Sequence, residues 1–135
     1  MIFGIGTDIV SYARIQAVHE RYGERFARRI LSPQELLEYF KHTQPGHLLF
    51  RRFAAKEALS KAVGIGLRSP ITFQRITVSH DNLGKPIFVF DAKLATYLRQ
   101  LGITHHHLSI SDERDMAIAF VVLEFNGAET VNLDA

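Results

Sequence analysis

Cysteine is absent from the 135 residues. Disulfides, thiolate nucleophiles and cysteine-ligated zinc or iron–sulfur centres are therefore excluded, which fits a reducing compartment. No apolar run approaches the roughly 20 residues that a membrane-spanning helix needs. The opening "MIFGIG" also lacks the charged n-region of a signal peptide. A cytoplasmic protein with no membrane partner is the expectation. Internal repeats, low-complexity tracts and an interdomain linker are missing too. The two "GIG" triplets at 4–6 and 64–66 fit neither phosphate-loop frame, GxxxxGK[ST] or GxGxxG. The run "AAKEALSKAVGIG" has the small residues and glycine turn of a helix-turn-helix. The following "LRSPITF" breaks the pattern where a recognition helix should stand, so no nucleic-acid partner is expected.

The chain is 47% hydrophobic, enough for one sizeable core in one domain. Its net charge of +2 hides an asymmetry: residues 1–70 carry 11 Lys/Arg against 6 Asp/Glu, and residues 71–135 carry 5 against 8. An anionic partner would land on the first half, although a solvated surface without a partner also accounts for so modest an excess.

"MIFGIGTDIV" reads as a buried strand in which Gly4 and Gly6 imply the close approach of another backbone, with Asp8 at the strand's end. Ser11 caps a helix to about Tyr22, before Gly23. "SPQE" from Ser32 is a capping box opening a short helix to about Phe40, and an alanine- and leucine-rich helix runs from His47 to Val63. "FQRITVSHD" and "PIFVF" flank a turn at "NLGK", and Asp91 caps a helix to about Leu101. "HHHLSIS" and "MAIAFVVLEF" are strands joined by "DERD". The order β-α-α-α-β-β-α-β-β predicts an α+β domain over 1–125, a largely antiparallel sheet with helices on one side, followed by a C-terminal tail at 126–135.

Glu57 and Lys61 are four apart on the long helix and share a face. An exposed ion pair worth about 0.3 kcal/mol accounts for them by themselves. Asp8 adds a second carboxylate, and two hard oxygen donors beside a lysine suit Mg²⁺ bound jointly with substrate phosphates. Spacing does not choose between these readings. Of the triplet at 105–107, only His105 and His107 share a strand face, too few ligands for zinc.

Four segments, in this order and spacing, resemble the holo-[acyl-carrier-protein] synthase family of phosphopantetheinyl transferases, of the short single-domain type: "GIGTDIVSYARI", "RRFAAKEALSKAVGIGLR", "LGKP" and "HLSISDER". The resemblance spans nearly all of residues 1–125. It implies transfer of 4′-phosphopantetheine from coenzyme A to a serine of apo acyl carrier protein in fatty acid biosynthesis, with release of adenosine 3′,5′-bisphosphate. It also implies Mg²⁺ dependence and a homotrimer with active sites between subunits. Asp8 and Glu57 match the family's metal-binding carboxylates, and Lys61 matches the lysine that meets the coenzyme A phosphates. Phe53, Gly64, Pro86 and His107 match positions lining the coenzyme A site. Arg14 matches a carrier-docking position that Arg21, Arg25 and Arg28 extend. Glu57 or a metal-bound water would take the serine proton. Two positions depart from the pattern: Asp112 stands where many relatives have histidine, and Phe120 where many have glutamine or threonine. The same three residues could also serve an Mg²⁺-dependent phosphohydrolase or nucleotide-binding enzyme, and the Arg14 to Arg29 surface a non-catalytic module binding nucleic acid or an acidic protein.

Overall fold

The computed structural model describes residues 1–126; the rest of the expected C-terminal tail lies outside the described residues. Strand β1 (Ile2–Ser11) leads into helices α1 (Tyr12–Tyr22), α2 (Glu24–Ile30), α3 (Pro33–Lys41) and α4 (Pro45–Val63). A single 3₁₀ turn (Phe73–Arg75) precedes the hairpin β2 (Ile76–His80) and β3 (Pro86–Phe90). Helix α5 (Ala92–Gln100) and strands β4 (Ile103–Asp112) and β5 (Met116–Phe125) follow. All strand pairings are antiparallel, as expected, but they form two sheets: β1-β5-β4 and the separate β2-β3 hairpin. His106 joins the two, its Nε2 accepting from the Phe88 amide at 3.0 Å. Burial, then His107, His105 and Lys85, push its pKa down, which favours the neutral ring that this bond requires.

Helix α2 has no counterpart in the expected order. Gly23, at φ 57°, ends α1 and starts α2 in one residue, so a single glycine marks a bend between two helices. Three further boundaries differ. β1 continues three residues past Asp8, which therefore lies inside the strand; α4 starts at Pro45, with proline in its first turn; and β4 begins two residues before the histidines. The capping box is present in both directions: Glu35 N donates to Ser32 Oγ at 3.3 Å and Ser32 N to Glu35 Oε1 at 2.9 Å.

Helix α4 is the core of the molecule. Its Ala54, Ala55, Ala58 and Leu59 are fully buried, and it packs on the inner face of β1-β5-β4 against Val10, Ala117, Ala119, Val121 and Leu123. Contact with β1 is at backbone distance. A Cβ on Gly4 would fall 2.0 Å from Ala62 O, and one on Gly6 would fall 1.9 Å from Ala58 O. Two strand residues advance about 6.7 Å and four helical residues about 6 Å, so a glycine pair two apart matches an alanine pair four apart.

Gly6→Ala has to push α4 off the sheet, and a loss of about 3 kcal/mol or more is expected by urea denaturation. Gly64→Ala, at φ 100° with nothing within 4 Å of the new methyl, meets only left-handed backbone strain and should lose about 1 kcal/mol. Equal losses at the two positions would contradict the packing described.

Candidate active site

Strand alternation places Gly4, Gly6, Asp8 and Val10 on the face of β1 that meets α4. Asp8 therefore continues the line of close approach and points at the helix beside the Glu57–Lys61 stripe. Lys61 does not close an ion pair with Glu57. Its ammonium reaches across to β1, donating to Asp8 Oδ1 at 3.0 Å and to Thr7 O at 3.1 Å. The Asp8 side chain is only 14% exposed, whereas Lys61 remains half open to solvent.

Glu57, half-buried, has its pKa raised first by burial and then by the negative charge of Asp8, against the opposing pull of Lys61 and Arg14. The two carboxylates thus feel each other across the α4–β1 seam, with Lys61 bonded to one of them. Both donors are hard oxygens, and among the described residues no group of three or more His, Asp and Glu is placed to hold a metal. A two-carboxylate set fits Mg²⁺ that shares its remaining positions with water and substrate phosphate, and it suits zinc poorly.

α1, α2, α4 and the 3₁₀ turn flank a cleft of about 430 Å³ that Asp8, Glu57 and Lys61 do not line, with Arg25 and Arg29 among polar groups and Val18, Phe26, Phe53 and Phe73 among apolar ones. Phe53, one turn before Glu57, stacks on Phe73 with ring centroids 5.6 Å apart. Arg14 and Arg21 are exposed on α1, two turns apart. Arg25 and Arg28 belong to α2, not to the first helix. Arg28 is already paired with Glu24 at 2.9 Å and lies over the Phe40 ring, which leaves it less charge to offer than Arg14 or Arg25. Arg29, Val18 and Phe26 also line the cleft, none of them assigned a site role in the sequence. Arg29 was visible there only as part of a basic run.

The remaining residues are placed apart. Gly64 is the left-handed C-cap of α4, its amide donating to Ser60 O at 3.0 Å. Pro86 begins β3 opposite His80. His107 lies on the outer face of β4, bonded to Glu124 Oε2 at 2.8 Å, and His105 bonds its neighbour Thr104. Neither Pro86 nor His107 has a hydrogen bond or ion pair to Asp8, Glu57 or Lys61 within the chain. Asp112 pairs with Arg51 of α4 at 3.3 Å, beside a polar hollow that His42, His47 and His80 also line.

A buried polar cluster joins α4 to the capping box of α3, a link that the sequence did not announce. Lys56, fully buried next to Glu57, donates to Glu35 Oε1, to Ile30 O at 2.7 Å and to Phe73 O at 3.1 Å. Burial lowers its pKa to about 8 against the opposing effect of Glu35. Glu35, also buried, accepts in addition from Val78 N at 3.0 Å. Arg52 Nε lies 3.2 Å from Glu35 Oε2, near enough for charge attraction but without making a hydrogen bond; its Nη2 bonds both oxygens of Glu38.

Residues 4–121 match the model of the 4′-phosphopantetheinyl transferase superfamily. The holo-[acyl-carrier-protein] synthase of Nitrosomonas europaea is 57% identical over 124 residues, covering 92% of this chain and 99% of that one. The crystal structure of the holo-[acyl-carrier-protein] synthase from Neisseria meningitidis superposes with a TM-score of 0.89 at 50% identity, covering 92% and 99%. That of the Bacillus anthracis synthase in complex with CoA (3′,5′-ADP) gives 0.77 at 36% identity, covering 93% and 99%. With nearly the full length matched in sequence and in fold, the chain belongs to the 4′-phosphopantetheinyl transferase superfamily, in its holo-[acyl-carrier-protein] synthase family.

Proposed function

We propose that this chain is a holo-[acyl-carrier-protein] synthase that transfers 4′-phosphopantetheine from coenzyme A to a serine hydroxyl of apo acyl carrier protein in the cytoplasm. The observation that carries this reading is the convergence of Asp8, Glu57 and Lys61 across the α4–β1 seam, within a chain matched to such synthases over nearly its whole length. In the reaction the serine oxygen bonds to the β-phosphorus of coenzyme A, the bond from that phosphorus to the bridging oxygen breaks, and adenosine 3′,5′-bisphosphate leaves.

Lys61 turns from Asp8 toward the pyrophosphate and offsets its charge, a change open to a flexible, half-exposed ammonium. Asp8 and Glu57 would hold Mg²⁺, which when bound supplies charge neutralisation for the phosphates and the departing nucleotide. Glu57, or a water held beside it in this site, would accept the serine proton. Phe53, where the cleft adjoins the Glu57 turn, flanks the pantetheine arm. The carrier docks over the cleft, with Arg14, Arg21 and Arg25 meeting its acidic side chains and Val18 and Phe26 its apolar ones. Arg28, engaged by Glu24, contributes least.

We further propose a homotrimer. The outer face of β1-β5-β4 is uncovered and apolar: Ile9 is 60% exposed, Ile5 53%, Ile118 46% and Phe120 44%. Phe120 stands between Thr7 and Ser109 in the centre of that face, and its ring in place of a smaller polar side chain suits contact with other copies. Pro86 and His107, remote from the triad within one chain, complete the coenzyme A site of a neighbouring subunit in this arrangement.

The reaction is tested by incubating the protein with coenzyme A, Mg²⁺ and apo carrier, with and without chelator, and reading the carrier by mass spectrometry. A metal-dependent gain of one phosphopantetheine is expected; free phosphopantetheine beside unmodified carrier would make water the acceptor and the enzyme a hydrolase. Glu57→Gln should lose activity yet melt higher than wild type in metal-free buffer at neutral pH. A carboxyl whose folded pKa is raised adds stability when protonated and loses that contribution as pH climbs from the ordinary glutamate range through the raised value. The melting difference should therefore close as pH falls below that range; a Glu57→Gln variant with near-normal turnover at saturating Mg²⁺ would remove both roles of Glu57. Arg14→Glu should weaken carrier binding and flatten its salt dependence. Phe120→Lys should yield monomers in light scattering, with coenzyme A binding lost.

A further inference from the structure

Lys56 is the one lysine of α4 that the proposed reaction leaves unused, and its position is unusual for a lysine. It is fully buried, and its side chain leaves the helix on the side opposite the solvent, where its acceptors come from three separate segments. Ile30 O is the last carbonyl of α2, which no helical amide can reach. Phe73 O belongs to the 3₁₀ turn before β2. Glu35 is the glutamate of the capping box in the first turn of α3, fixed in turn by the amides of Ser32 and Val78. A buried ion pair is weak evidence for a stabilising role, since an apolar replacement of similar volume is often as stable. What distinguishes this ammonium is what it grips. Ile30 and Phe73 are both walls of the cleft, and Phe73 carries the ring on which Phe53 stacks, one turn before Glu57.

We propose that Lys56 is a positioning residue for the transfer: by holding Ile30 O and Phe73 O from beneath, it sets the carrier-binding cleft in register with Glu57. Gly4 and Gly6 fix Glu57 against Asp8 on one side of α4, and Lys56 fixes the cleft walls against the same turn on the other. Without the ammonium, the end of α2 and the 3₁₀ turn lose their common tie. The cleft then settles at a different distance from the seam, while the seam itself is untouched. The inference rests on the reading of the cleft as the carrier's docking place.

Comparison of Lys56→Met with Glu35→Gln separates positioning from stability. Glu35→Gln retains the ammonium and both of its carbonyl acceptors. Lys56→Met retains the carboxylate, with Arg52 close to it, but releases both cleft walls. Both should melt lower than wild type. The expected result is that the KM for apo carrier rises about tenfold or more in Lys56→Met and stays near wild type in Glu35→Gln, with the KM for coenzyme A changing less than the carrier KM in Lys56→Met. If Lys56→Met does not fold, Lys56→Met/Glu35→Gln, which leaves no buried charge unpaired by the change, is measured in its place. A folded Lys56 variant with wild-type carrier KM, or equal rises in the two single variants, overturns the proposal. So does failure of every Lys56 variant to fold, which would make the ammonium a folding element. Wild-type protein that leaves the carrier unmodified in the same assay would instead overturn the functional reading itself.

Discussion

The approach of α4 to β1 at backbone distance is the constraint from which the rest of this structure follows. Two glycines on one face of the strand meet two alanines on one face of the helix, and no side chain larger than hydrogen fits at either glycine. That contact brings Asp8, next along the same strand face, up to the helix that carries Glu57 and Lys61. Carboxylates 49 positions apart in the chain thereby come within electrostatic reach of each other. Their mutual repulsion and the desolvation of Glu57 disfavour the folded protein by themselves. Perturbed pairs of this kind cluster at functional sites, which supports the proposal that this one serves a cation and a phosphate.

The opposite side of α4 is held by charge instead of close packing. Lys56 and Arg52 extend into a buried cluster around Glu35, so one residue of the capping box of α3 also tethers α4, the β2 amide of Val78 and, through Lys56, the ends of α2 and the 3₁₀ turn. A helix gripped by glycine contacts on one face and by an ion cluster on another has little freedom to rotate. Glu57 and Lys61, carried on that helix, have their direction set by the packing on both sides. The outer sheet face supplies the remaining requirement: its exposed isoleucines and Phe120 leave one chain with an apolar surface that association with other copies would cover.

Local patterns in the sequence carried a good deal of this. The glycines of "GIG" at the N-terminus announced a backbone approach, the "SPQE" box gave the start of α3, Asp91 gave the start of α5, and alternation gave the faces of His105 and His107. Local patterns failed where one residue served two elements or where partners were distant. Gly23 read as one helix end when it is two, and the sheet read as single because period-two alternation carries no information about which strand pairs with which. The spacing of Glu57 and Lys61 allowed an ion pair between them, yet Lys61 bonds Asp8, 53 residues away. The pairing of Lys56 with Glu35 carried no signal: Glu35 was legible only as the capping-box glutamate, and a lysine amid alanines looks like a solvent-facing residue until the helix is seen to be buried on nearly every side.

The central claim is that Asp8 and Glu57 form one site across the seam. A double-mutant cycle tests it most directly, with carrier modification by wild type, Asp8→Asn, Glu57→Gln and the double variant measured as kcat/KM under identical Mg²⁺ and coenzyme A. Residues that act as a unit are strongly non-additive, so each single variant should lose nearly all activity and the double variant little more than either. Losses that simply multiply would mean that the two carboxylates act independently, and the account of the seam as an active site would fail.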